Sequence, residues 1–373
     1  HTPSRDSKGP HAPLPYPVSD TVRQGLRVVA TVALLGSTTP LVAQNTAREG
    51  ACRESGIPVI ALGGTGALVH DMARLRGATA FPRRVFATAE QLRSDPVCAE
   101  GPFLDWTDQA TGAVAVELLP ASLRATYNSG YPVEMNDGLQ WAGRGISSVL
   151  SAGLTGSVGR FRYSIAPVVA WHQNRAFAVY DTVMAHRKPF AYPWHASRID
   201  RPQRFGDTSF LWVDAGESYL RADLGVLAAA VSNEGLRWGP AHRYPLLLST
   251  AAPGFPHFSL SPGRPWRLPG LATVDLQILW GLLAESDHFD VDDENDHRLL
   301  SGVILAVHPE VLPGFSVGVA SLVHTDLSAG FQASDLLSFA QSPSEAAGGN
   351  VDGNGIGALF ARWAFPDVGF EAY

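Results

Sequence analysis

The sequence predicts an all-β fold: a transmembrane antiparallel β-barrel, incomplete in this chain, behind a small helical segment. Three observations lead there. Apolar and polar residues alternate with period two over segments of about ten residues, the length of a barrel strand. The connections between those segments run long, short, long, short. The composition, 45% apolar and only 17% charged with 37 Gly and 27 Pro in no repeating order, suits many strands and turns.

The alternation is clearest from Ile146. Ile146, Ser148, Leu150, Ala152, Leu154 and Val158 fall on one side, and Ser147, Ser151, Gly153, Thr155, Ser157 and Gly159 on the other. After a turn at Gly159-Arg160, Phe161, Tyr163, Ile165, Val169 and Trp171 share a face opposite Arg160, Arg162 and Ser164. Successive side chains of a strand point to opposite faces, so the two segments read as a hairpin. Thr273 to Glu285 repeats the pattern, with Val274, Leu276, Ile278, Trp280 and Leu282 opposite Thr273, Asp275, Gln277 and Glu285. Tyr219 to Ala230 does so too, with Arg221 and Asp223 on its polar side.

Such strands suit either a soluble sandwich or a membrane barrel, and the connections decide between them. From a first strand near Ala113 to Tyr127, short turns fall at Gly159-Arg160, around Gly225, at Pro269-Gly270, at Pro309 to Gly314 and at Pro366-Asp367. Long connections fall at Asn128 to Gly145, His172 to Gly216, Trp238 to Ser261, Ser286 to Arg298 and Thr325 to Gly355. Short turns at one end and long loops at the other are the plan of an outer-membrane barrel. Phe161, Tyr163, Trp171, Trp280, Trp363 and Phe365 sit where girdle aromatics would. About eleven strands precede Tyr373, and single-chain bacterial barrels close with an even number, so further C-terminal strands are expected.

Arg23 and Arg27 precede the apolar run Val28 to Leu35, then Leu41-Val42-Ala43, the three-part plan of a signal peptide cleaved after Ala43. The run is too short to span a membrane as a helix. No Met precedes Met72, so initiation is expected near Val18 or Val22. The expected organisation is a leader outside the protein (1–21), a signal peptide (22–43), a periplasmic helical segment (44–112) and the barrel (113–373). Within the helical segment, helices are predicted over Gly66 to Gly77 and Thr88 to Arg93. Cys52 and Cys98 are the only cysteines; the periplasm would allow a disulfide, and two unpaired thiols are the alternative. Gly63-Gly64-Thr65-Gly66 lacks the third Gly and the Lys-Ser/Thr pair of a nucleotide loop.

A net charge of −7 offers no basic face for nucleic acid. No patterned nucleophile and base occur; His195 near Ser197 has no recognisable motif around it, so no enzyme is expected, and neither a cofactor nor a metal site. Asp287 to Asp296 is dense in carboxylates without EF-hand spacing, and reads as a solvated loop tip.

Several stretches resemble the Wzi-type capsule assembly family of outer-membrane proteins: Leu119 to Asn128, Asn136 to Gly145, Ile199 to Asp207, Asn233 to Pro240, and Leu246 to Ser249 leading into Ala252 to His257. The likeness runs from about Leu68 to Tyr373. It implies a barrel with periplasmic helices that acts as a lectin in attaching capsular polysaccharide, a monomer whose partners are that polysaccharide and outer-membrane lipid.

Sugar binding needs aromatic faces for stacking and amide, carboxylate or guanidinium groups for hydroxyls. Tyr127, Asn128, Asn136, Asp137, Trp141 and Arg144 supply that mixture on the first long loop, and Arg237, Trp238 and His242 on the third. The other reading makes Asn136-Asp137-Gly138 a turn and the Trp residues loop anchors. A passive porin is the competing function, because Arg160, Arg162, Arg221 and Asp223 facing inward would line a polar lumen either way.

Overall fold

The computed structural model describes residues 71–72, 85–94, 114–132, 137–181, 187–194, 199–241, 245, 247–289, 296–328, 330–340, 353–365 and 370–373. The signal peptide, Cys52, Cys98, Asn136, His195, His242 and most of the helix expected over Gly66 to Gly77 lie outside them, as does the centre of the acidic stretch.

The described chain is all-β. Ahead of the main sheet come β1 (Phe86–Ala87) and helix α1 (Ala89–Ser94), where a helix was expected. Its start is a capping box. The Gln91 amide N–H donates to Thr88 Oγ1 (3.1 Å), and the Thr88 N–H donates to Gln91 Oε1 (3.0 Å).

The main sheet is an antiparallel meander. Strand β2 (Val114–Asn128) pairs with β3 (Gly145–Val158), along whose other edge lie β4 (Phe161–Ile165) and β5 (Val168–His172). These two make one pass broken at Ala166-Pro167, where proline has no N–H for the ladder. The next pass breaks at the same level, into β6 (Phe210–Asp214) against β5 and β7 (Tyr219–Asp223) against β4. Gly216 bridges Ala166 there with φ +57°, and a Cβ on it would stand 2.3 Å from the Ala166 carbonyl oxygen. Only glycine fits both conditions.

Strand β8 (Leu227–Ser232) follows, and β9 (Arg237–Trp238) leaves the sheet to pair with β1. Then come β10 (His257–Pro262) and β11 (Trp266–Leu268), a third broken pass, against β12 (Ala272–Ala284). Finally β13 (His297–Pro309), β14 (Phe315–Asp326), β15 (Gly353–Phe365) and β16 (Phe370–Ala372) are added in order. These are eleven passes, with the expected alternation of short turns and long loops. Three boundaries differ from expectation: the strand after the second long loop begins at Phe210 rather than beyond Gly216, the strand before the third ends at Ser232 rather than running to Trp238, and the strand after the third begins at His257 rather than after Ser261. Among the described residues β2 and β16 are the open edges, and no pairing joins them.

The interior is filled by the chain itself. Val85 and Phe86 of the N-terminal segment pack with Leu236 and Trp238 against Leu279, Ile304, Leu322 and Phe360, one from each of β12 to β15. Glu90 of α1 reaches Arg162 of β4 and Arg221 of β7. One short segment therefore touches passes far apart in the sheet, which must curl around it. Small residues make the room: on β13, a Cβ at Gly302 would lie 2.9 Å from the Trp238 ring and 2.4 Å from Leu322.

On the opposite face the 3₁₀ helix Ala333–Ala340 folds back over the sheet, with Trp280 Nε1 donating to the Leu336 carbonyl at 2.8 Å. It contacts β13 and β14, where Ser301 and Val323 are fully buried.

Candidate functional site

Two regions carry concentrated chemistry: an ionic cluster between α1 and the inner face of the sheet, and the long-loop end.

The ionic cluster is centred on Glu90. Its carboxylate lies 3.2 Å from Arg221 and 3.6 Å from Arg162, and Asp223 takes the remaining reach of both guanidiniums at 3.0 and 3.6 Å. The Glu90 N–H donates to Glu234 (2.7 Å), whose other oxygen accepts from Ser232 (3.1 Å). A second buried pair ties Arg237 to Asp71 through two bonds of 3.0 and 3.2 Å. Buried pairs of this kind fix geometry, and breaking one from one side leaves an uncompensated charge at a cost of about 3–5 kcal/mol. Of the expected inward charges, Arg162, Arg221 and Asp223 are here, paired around Glu90 of the N-terminal segment, whereas Arg160 is exposed in the turn between β3 and β4.

At the long-loop end, Trp141 is 3% exposed and packs with Phe205 (ring centroids 5.2 Å), Phe210 (5.8 Å), Phe177 and His172. Buried Arg204 lies over the Phe177 and Phe190 rings and donates to Asn174 O and Asp207, locking the second long loop onto this cluster. His288, from the fourth long loop, meets Phe190 and Phe205 edge-on, each at 5.9 Å. Burial there pushes its pKa down from 6.5, with Lys188 acting the same way and Asp287 and Asp200 opposing.

Of the residues chosen from sequence for sugar binding, Asn136 and His242 lie outside the described residues, and three of the others are buried. Trp141 and Trp238 were expected on loop surfaces; both are buried, Trp238 to 1% exposure with Nε1 donating to Gln277 Oε1, so neither offers a free ring face. The physical reason is that an aromatic ring in a long loop can cover the inner face of the sheet as readily as face water. Arg237 is likewise buried, against Asp71. Asn128 donates to the Tyr131 and Ala142 carbonyls, and Asp137 pairs with Arg124 at 3.4 Å beside a turn at Gly138. These are loop-building roles. Tyr127 is exposed, and Arg144 is exposed while donating to the Ala176 carbonyl.

The sequence reading missed the aromatic content of the second long loop: Tyr180, Tyr192 and Trp194. The signal was present as Tyr192-Pro193-Trp194 inside a long connection. Among the described residues, no group of three or more His, Cys, Asp or Glu is placed to hold a metal ion, and no helix is long and apolar enough to cross a membrane, which says nothing of strands.

In comparisons with known proteins, no family model, no curated protein and no solved structure matched the chain.

Proposed function

We propose that the chain is an outer-membrane β-barrel protein, its lumen plugged by its own segments, that takes part in capsule assembly by binding surface polysaccharide at its long-loop end. The observation that carries this reading is the polarity of the sheet. Its outward face presents Leu150, Val213, Val231, Val319 (49% exposed) and Leu359 (73%), while Arg221, Asp275, Gln277 and Arg362 are buried on the inward face. A soluble sandwich would have the reverse. In water each exposed Leu or Val forfeits about 1.5–3 kcal/mol of burial that a lipid chain would restore. Apolar outside and polar inside is what a bilayer selects.

Polysaccharide rather than solute passage follows from two supports. The resemblance to capsule-assembly lectins points to a surface glycan, and the packing of β1, α1 and β9 inside the sheet leaves little room for a conducting path. Deleting the gene tests the reading. Cells without the protein should release capsular polysaccharide that wild-type cells retain, and the protein should fractionate with outer membranes and migrate heat-modifiably on gels. Unchanged retention, or a steady ion conductance of the purified protein in planar bilayers, would favour a porin instead.

A further inference from the structure

We infer that Tyr180, Tyr192 and Trp194 form the sugar-stacking platform of this protein, a site for a pyranose ring of surface polysaccharide. The inference rests on the polysaccharide reading above and gives it a location.

Three facts single out the trio. The first is exposure. Tyr180 is 70% and Trp194 66% exposed, and Trp194 is the most exposed of the described tryptophans. The exposed Trp171 and Trp363 lie on strands, where the apolar outer face accounts for them. Trp194 lies in the loop between β5 and β6, where the outer face does not.

The second is clustering. Tyr192 meets Trp194 edge-on with centroids 5.4 Å apart, and Tyr180 lies 6.2 Å from Trp194 at 36°. Three rings in contact, two of them open to water, make a surface larger than one ring can offer. The apolar C–H face of a pyranose stacks on such a surface.

The third is rigidity. Gln203 ties the parts of the loop together: its side-chain oxygen accepts from the Tyr180 N–H (2.9 Å), and its amide donates to the Tyr180 carbonyl (2.9 Å) and the Ala191 carbonyl (3.1 Å). Its own N–H donates to the Phe190 carbonyl at 2.8 Å. Pro193 fixes one backbone dihedral between the two rings that flank it. A platform held this way gives up little entropy on binding. Exposed Asp181 follows Tyr180 and exposed Arg201 lies two residues before Gln203, supplying an acceptor and donors for hydroxyls near the rings in sequence.

The test uses the full chain in detergent and polysaccharide released from the surface of its own source cells, immobilised for binding measurements. Trp194→Ala should weaken binding about tenfold, and Trp194→Phe, which keeps a ring, should stay within about threefold of wild type. Tyr180→Ala should weaken binding in the same direction, with heat-modifiable migration unchanged in all three. Wild-type binding that none of these variants alters would overturn the platform and leave the polysaccharide reading standing. No binding by the wild type would overturn that reading, and the platform with it. A third outcome separates a sugar site from an interfacial girdle. In vesicles of brominated phosphatidylcholine, strong quenching of the fluorescence component that Trp194→Phe removes would place the ring in lipid and overturn the inference.

Discussion

Trp238 Nε1 donates to Gln277 Oε1 at 2.9 Å, and this single bond crosses from the inner ribbon β1–β9 to the wall strand β12. The indole it orients sits over Gly302 of β13, where nothing larger than hydrogen fits. Replacing Trp238 with Ala should cost about 3–5 kcal/mol, the range for a large buried aromatic. Gly302→Val should be nearly as damaging, because the added side chain needs the volume the ring occupies. Denaturant midpoints of the refolded protein measure both. A change under 1 kcal/mol in either would mean the ribbon does not pack there.

The Glu90 cluster holds α1 against β4 and β7. Glu90→Gln keeps the shape and removes the charge that Arg221 and Arg162 share, so the segment should loosen by about 2 kcal/mol, the range for a hydrogen bond to a charged group. Asp223 still contacts both arginines, which is why complete unfolding is not expected. In planar bilayers the wild type should stay closed, and Glu90→Gln should show brief openings that become more frequent as salt screens the remaining pairs. Identical silent traces for both proteins would show that the cluster does not hold a plug.

His288 ties the fourth long loop to the second. Its pKa is lowered chiefly by burial, so the folded loop resists a proton that an open loop accepts. Above the ordinary 6.5 the ring is neutral in both states and folding carries no penalty. As the pH falls through 6.5 the open form takes the proton first, and the docking of the turn at Ser286 to Phe289 on Phe190 and Phe205 weakens. Limited proteolysis of this loop should accelerate below about pH 6, and His288→Phe should abolish the acceleration. Acid sensitivity that survives the substitution would assign it to another group.

Much of this fold was legible because period-two alternation is a local signal. Ile146, Leu150, Phe161 and Trp171 are all on the exposed face the sequence assigned them, and the loop lengths located the turns. The interior was not legible. Trp238 and Arg237 lie in a segment that looks like any long loop, and their burial depends on Phe86, Asp71 and Gln277, far away in the chain. The site suffered for the same reason: an aromatic beside Asn and Asp reads as a sugar contact whether it is exposed, as Tyr127 is, or buried, as Trp141 is. Only the tertiary packing separates the two.

The sheet's apolar outer face is the centre of the account, and adjacent residues on one strand test it most directly. With Cys52 and Cys98 replaced by Ser, single cysteines at Val319 and Ala320 on β14, and at Leu359 and Phe360 on β15, should be spin-labelled in lipid vesicles. Labels at Val319 and Leu359 should be relaxed strongly by oxygen, which concentrates in lipid, and weakly by a water-soluble nickel complex. Labels at Ala320 and Phe360 should be shielded from oxygen by comparison. Equal access of the nickel complex to Val319 and Leu359 would mean that the outer face meets water, and would contradict the membrane barrel.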